Sequence, residues 1–217
     1  MIVYEHIEQR SDEWQRLRAG RPTASQFSRI ITPGGKTNPS SWAKYALELT
    51  AESIRPDEAG WTGNRHTERG NELEADARAA FEQRMGLEAF EVGFVTRADG
   101  VIGCSPDALI RPPYSGGDGA PAWVAGLEIK CPSPKVHAAT LIEGEMPAEH
   151  LPQVHGSMAV TGLDWWYFVS YCPGFRMVIK RVQRNDYTAK VEKALDDFLA
   201  FYRERRAELL PRLVEAK

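Results

Sequence analysis

The chain is poor in groups that could tie it together covalently. Its three cysteines, Cys104, Cys131 and Cys172, are scattered and odd in number, and no Cys-x-x-Cys occurs. This argues against a disulfide framework or a cysteine-bound structural zinc, and fits a reducing cytosol. No apolar run approaches the ~20 residues of a membrane span. Met1-Ile2-Val3-Tyr4-Glu5-His6 has neither a basic region nor a long apolar stretch, so no secretory signal is expected. The absence of a Gly-x-Ser-x-Gly elbow disfavours a serine hydrolase. Internal repeats and low-complexity tracts are absent too. Positive charge is not in excess: 27 Lys and Arg against 30 Asp and Glu leave a net charge of −3. Any nucleic-acid partner must therefore meet a local basic face, not a basic molecule. Arg10, Arg16, Arg18, Arg21 and Arg29 form one such cluster, and Lys180, Arg181 and Arg184 another. Both fit a solvated face as well as a binding patch.

What is present reads as one α/β domain with a mixed sheet. The 217 residues, 42% hydrophobic and 26% charged, suffice for one substantial core or two small ones. Ser11 caps a helix with Asp12 and Glu13 in its first turn, running to about Ala19 and stopped by Gly20. Pro22-Thr23 opens a short helix to about Ile31, and Pro33-Gly34-Gly35 is a mobile loop. Pro39 to Ile54 is helical, with Trp42, Tyr45, Ala46, Leu49 and Ser53 on one face. Thr67 to Met85 forms a longer helix with a stripe of Leu73, Ala77, Ala80 and Phe81, ended by Gly86. Phe90–Thr96 and Gly100–Cys104 then form a hairpin, and Ala108–Ile110 continues the sheet. A Pro/Gly loop fills 111–121, and Trp123–Lys130 is the next strand, stopped by Pro132. Helices follow over 134–143 and 149–161. Strands over 165–171 and 175–182 and a helix over 187–209 close the chain.

The chemistry concentrates at Leu127-Glu128-Ile129-Lys130-Cys131-Pro132, with Ser105-Pro106-Asp107 upstream. On a strand, alternate side chains face opposite ways, so Glu128 and Lys130 share one face and Leu127 and Ile129 the other. Hydrolysing a phosphodiester requires deprotonating water, neutralising the phosphate and stabilising the leaving oxygen. Hard divalent cations with oxygen ligands do all three. Asp107, Glu128 and the carbonyl of Ile129 are suitable ligands, and Lys130 can orient water or stabilise phosphate charge. Beside carboxylates that lysine stays protonated, which favours the second role. Glu74 fits a second-metal or water-holding carboxylate, with Gly70 one turn before it to admit a close approach. Gln153 can hydrogen-bond a water or a phosphate oxygen. Other readings stay open. Glu128 and Lys130 also fit a surface ion pair, Glu74 a solvated acid, Gln153 an exposed amide, and Ser105-Pro106-Asp107 a plain turn. His150 and His155, five apart, fall off a common helix face and make a poor metal pair.

Taken together, these blocks resemble the lambda-exonuclease-like, YqaJ-type viral recombinases of the PD-(D/E)xK nuclease superfamily. The resemblance runs from Gln9 to about Tyr171. It includes Ser11-Asp12-Glu13-Trp14, Leu17-Arg18, Gly20, Thr23-Ala24-Ser25 and Gly70-Asn71-Glu72-Leu73-Glu74-Ala75-Asp76-Ala77-Arg78. Cys104-Ser105-Pro106-Asp107, Leu127 to Pro132, Gln153-Val154, Ser157-Met158 and Trp166-Tyr167-Phe168 complete it. It implies a restriction-endonuclease-like domain over 1–217. Helices in 1–66 would contribute a 5′-phosphate pocket, the catalytic core would span about 67–182, and a helix about 187–209. It implies processive 5′→3′ digestion of one strand of linear double-stranded DNA to mononucleotides, leaving 3′ overhangs for recombination by strand annealing. Mg2+ would be the cofactor, with Mn2+ able to replace it. Asp107, Glu128 and the Ile129 carbonyl match the metal ligands; Lys130, Glu74 and Gln153 match the other catalytic groups. Arg18, Ser25 and Ser105 match the 5′-phosphate pocket. Ser25 in a first helical turn suits an anion, and Arg18 adds a charge-assisted contact. The resemblance further implies a homotrimeric ring, a single-strand annealing partner, no membrane association and a cytoplasmic setting in a bacterial host cell, with a prophage origin.

This chain departs from that pattern in three places. His150 stands where the family often has Tyr, so the pH profile is in question. The Asp107-to-Glu128 connection is long because of the loop at 111–121. No small apolar wedge is evident before Glu74, where His66 and Thr67 stand. Two rivals remain: a structure- or site-specific endonuclease on the same fold, and a DNA-end-binding scaffold without turnover. A Cas4-like nuclease would need four clustered cysteines.

Overall fold

A five-stranded mixed sheet holds the two acidic segments together. The structure is a computed structural model; it describes residues 1–58, 65–112 and 122–215, with the backbone alone for 65–72. The elements run β1 (Ile2–Tyr4), α1 (Asp12–Arg18), α2 (Pro39–Ile54), α3 (Arg65–Met85), β2 (Ala89–Phe90), β3 (Phe94–Thr96), β4 (Gly103–Cys104) and β5 (Ala108–Ile110). They continue with β6 (Ala125–Lys130), α4 (Pro134–Glu143), α5 (Leu151–Thr161), β7 (Trp165–Ser170), β8 (Val178–Gln183) and α6 (Asp186–Leu213). The main sheet has the order β2-β5-β6-β7-β8, and β1-β3-β4 form a separate three-stranded antiparallel sheet. Among the described strands only β6 and β7 form a parallel ladder, through the α4–α5 crossover.

Two expectations are corrected. The stretch read as one strand over 90–96 is broken after Phe90, and its halves belong to different sheets. Gly93 lies in the break. A Cβ there would lie 1.9 Å from the Ile7 carbonyl oxygen, so glycine lets the N-terminal segment cross the chain at this point. Ala108–Ile110 accordingly does not continue the β3–β4 hairpin but pairs with β2 and β6. β1 was not expected at all; three residues carry too little alternation to be seen in the sequence. Helix boundaries agree within a few residues, and Ser11 accepts from the Trp14 N–H at 3.2 Å as the α1 cap. The segment opened by Thr23 is a six-residue 3-10 helix, Ala24–Arg29. Residues 113–121 of the Pro/Gly loop lie outside the described residues, as do the side chains of His66, Thr67, Asn71 and Glu72 and the surroundings of Gly70.

Both faces of β6 are covered. Leu127 and Ile129 pack with Ala77 and Phe81 of α3 and with Val169. The opposite face carries Glu128 and Lys130 beside Phe168 and Ser170 of β7, in register. Gly126 lies one step earlier, and a Cβ there would come within 2.3 Å of the buried Trp166 ring. On α5, a Cβ at Gly156 would meet Phe27 at 2.2 Å, so glycine lets the 3-10 segment lie directly on α5. That contact brings Ser25 and Gln153 to one side of the molecule. A parallel bridge from Thr23 to Gly103 anchors the same segment beside Ser105. Among the described residues no helix is long and apolar enough to cross a membrane.

Candidate active site

The end of the β5–β6 ladder builds the cluster. The Asp107 N–H donates to the Leu127 carbonyl at 3.1 Å, and the Asp107 carboxylate accepts from the Ile129 N–H. The carboxylate thus takes the place of the next strand residue. Along a strand, a residue's N–H and C=O point to the same side, so the Ile129 carbonyl also faces Asp107. It accepts no hydrogen bond among the described residues. Glu128, 2% exposed, accepts on Oε1 from Lys130 Nζ at 2.5 Å and from Gln153 Nε2 at 2.6 Å. The readings of Glu128–Lys130 as a surface ion pair and of Gln153 as an exposed amide are therefore corrected, because α5 covers this face. Glu74 lies close enough for its charge to bear on Asp107, and it is paired with Arg10 at 3.1 Å.

Electrostatics follow from this crowding. Burial, then Glu128, then Glu74, push the Asp107 carboxyl well above its ordinary pKa. Burial works against the Lys130 ammonium, yet Glu128 and Asp107 outweigh it and hold it above the usual lysine value. Lys130 is a cation here, as expected. The His150 ring stacks on Phe168 with centroids 5.1 Å apart. Burial, with Lys130 second, pulls it down to about 4, so the ring is neutral at neutral pH. His155 is elsewhere, buried against α6 and bonded to Thr188 Oγ1 at 2.8 Å.

A second group lies in the same cleft of about 560 Å³. Arg18 stacks over the Trp14 ring at 4.0 Å and donates to Ser105 Oγ at 3.2 Å and Thr23 Oγ1 at 3.4 Å. Burial lowers its pKa to about 10, which leaves it charged. Among the described residues it has no carboxylate partner, whereas Arg16, Arg29, Lys180 and Arg184 each do. Ser25 reaches the group through Thr23, 3.5 Å away. The helix-dipole argument for Ser25 is corrected: a six-residue 3-10 helix carries little dipole, so the positive charge comes from Arg18. Trp14 and Arg10 also line the cleft, and Thr23 supports Arg18 from behind, although motif reading assigned none of the three a role in the site. Trp14 donates from Nε1 to both Gly93 O and Ser105 Oγ at 3.0 Å. An amphiphilic ring at the start of a helix gives no sign of this; only the fold aims it.

The donor set suits a hard cation. Among the described residues no three His, Cys, Asp or Glu side chains converge into a cage. Two carboxylates with a carbonyl is nevertheless an oxygen-only set. Asp107 Oδ1, Glu128 Oε2 and the Ile129 carbonyl accept no other hydrogen bond among the described residues.

A mixed sheet carrying an acid at the end of one strand and Glu-x-Lys on its neighbour, flanked by helices, is the restriction-endonuclease-like fold. Within it, the chain belongs to the YqaJ-like viral recombinase domain family, whose model matches residues 13–164. An alkaline exonuclease (LHK-Exo) from Laribacter hongkongensis is similar at 29% identity with a TM-score of 0.76, over 93% of this chain and 97% of that one. The same values hold for its complex with dAMP. A phage-related exonuclease from Haemophilus somnus 129PT shares the fold at 14% identity and a TM-score of 0.60, over 89% and 96% of the two chains. No curated protein matches the chain.

Proposed function

We propose that this protein is a Mg2+-dependent 5′→3′ exonuclease that digests one strand of linear double-stranded DNA, leaving 3′ single-stranded overhangs for recombination by strand annealing. One observation carries this reading: the half-buried Arg18, without a carboxylate partner among the described residues, opens into the same cleft as Asp107, Glu128, Lys130 and Gln153. The recombinase family and the likeness to an alkaline exonuclease support it.

Asp107, Glu128 and the Ile129 carbonyl would hold Mg2+ or Mn2+. When bound, such an ion lowers the proton affinity of the attacking water and the charge on the scissile phosphate. Lys130 donates a charge-assisted hydrogen bond to a phosphate oxygen as negative charge builds up. Gln153 holds Glu128 in place, which fixes the ligand before substrate arrives. Glu74 orients water on the open side. Arg18, Ser25 and Ser105 receive the 5′-terminal phosphate, so that hydrolysis occurs one nucleotide from the end. The neutral His150 ring serves as an apolar wall, as a tyrosine ring would. A trimeric ring, a single-strand annealing partner and a cytoplasmic setting in a bacterial host follow from the family alone.

The test is to incubate the protein with linear and closed circular duplexes, carrying 5′-phosphate or 5′-hydroxyl ends where linear, with Mg2+ or with a chelator. Loss of the linear 5′-phosphorylated duplex alone, only with metal, is expected. Cutting of circles would identify an endonuclease, and binding of ends without cutting would identify a scaffold.

A further inference from the structure

Arg10 is the one non-glycine residue with positive φ, +71°, among the described residues. That region favours glycine, so the backbone here is strained. Both neighbours are clamped. Gln9 donates from Nε2 to Val92 O and Pro106 O, both at 2.9 Å, and Ser11 caps α1 while donating to Glu8 O at 2.7 Å. The side chain is the free part. It meets Glu74 through one nitrogen at 3.1 Å, with the two side chains 43% and 22% exposed. An ion pair this open contributes little to folding, and glycine would suit the backbone better. Stability therefore does not account for an arginine at this position.

Position does. Arg10 and Glu74 line the catalytic cleft and also the adjoining cavity of about 430 Å³, and so stand at the seam between them. Glu74, Asp107 and Glu128 make the cleft acidic, which opposes entry of a phosphodiester. Arg10 stands two residues before α1 and Arg18 is its last residue; the seven residues of that helix rise roughly 10 Å, about the rise of three nucleotides along one strand. We propose that Arg10 is an exchangeable countercharge: it neutralises Glu74 in the free protein and moves to a DNA backbone phosphate when an end enters. The exchange gives the entering strand a further cation beyond Arg18 and Lys130 and releases Glu74 to face the reaction. Arg10 is thus a substrate-positioning residue that also screens Glu74, resting on the nuclease reading above.

The test uses Arg10→Gly, Arg10→Lys, Glu74→Gln and the Arg10→Gly/Glu74→Gln double variant in the full chain. Glycine at φ +71° should leave the melting temperature unchanged or higher. Affinity for a 5′-phosphorylated linear duplex is measured by anisotropy in EDTA across a salt series. Arg10→Gly should weaken it roughly 3- to 10-fold and make the log–log salt slope shallower by about one, with Arg10→Lys keeping most of both. Mn2+ affinity of the DNA-free protein is measured by titration calorimetry. Arg10→Gly should bind Mn2+ several-fold tighter, and the gain should vanish when Glu74→Gln is added. An unchanged affinity or salt slope overturns the phosphate contact, and an unchanged Mn2+ affinity overturns the screening of Glu74. Wild-type protein that binds ends but never cuts them defeats the nuclease reading while leaving both Arg10 readouts in force.

Discussion

Replacing Lys130 with methionine keeps the side chain's length and removes its charge. In the structure the ammonium is 2.5 Å from Glu128 Oε1, and Glu128 is 2% exposed. With an effective dielectric of ~20 the gross attraction is roughly 7 kcal/mol, but desolvating both ions offsets much of it. Breaking one side of a buried pair typically costs ~3–5 kcal/mol. Gln153 still donates to the same oxygen at 2.6 Å, so the low end, about 3 kcal/mol, applies. For a chain of this size that lowers the melting temperature by roughly 6–12 °C in a chelator. Excess Mg2+ should close most of the gap, because a cation between Asp107 and Glu128 supplies the missing charge. Digestion of linear duplex should fall by about 10²–10³ or more, while end binding persists. Melting curves with and without Mg2+, nucleotide release and anisotropy read the three effects. A melting temperature unchanged in chelator would refute the buried-pair reasoning, and equal loss of binding and digestion would make Lys130 structural.

Arg18→Ala removes a charge-assisted contact of ~1.5–3 kcal/mol; it should slow digestion of 5′-phosphorylated ends by about 10- to 100-fold and of 5′-hydroxyl ends much less, compared in one competition assay. Gly156→Ala places a methyl against Phe27 and should cost about 1–3 kcal/mol in urea unfolding; no loss would mean the 3-10 segment is free to shift. The folded-state pKa of His155 lies near 4, below its ordinary 6.5, chiefly through burial. Between these values the folded state binds fewer protons than the unfolded state; the stability linked to this ring is complete above pH 6.5 and falls away towards pH 4, by about 2 kcal/mol at pH 5. His155→Gln should flatten that part of the pH–stability curve. His150, also near 4, is neutral above pH 6, so His150→Phe should leave the shape of the activity profile between pH 6 and 9 unchanged; a new inflection there would show that the ring titrates.

The strand over 125–130, the long helix bearing Glu74 and the acid–lysine pairing were legible because local rules act on neighbours: alternation places Glu128 with Lys130, and a helical stripe orients Ala77 with Phe81. The break around Gly93 was not legible, since the carbonyl that crosses there belongs to Ile7, more than eighty residues earlier in the chain. Among the N-terminal arginines, composition cannot distinguish Arg18 from Arg16 or Arg29. Only the fold gives the latter two Asp57 and Glu48 as partners and leaves Arg18 facing Ser105.

By itself, then, the order of residues determined which side chains could do chemistry and on which face of a strand or helix each would lie. Their convergence was decided by tertiary structure. A carboxylate standing in for a strand neighbour at the end of β5, a glycine letting Phe27 onto α5, and an arginine held at positive φ beside Glu74 all depend on atoms distant in sequence. Burial that turns a solvent-compatible Glu–Lys pair into a strong one exists only once α5 has closed over the sheet.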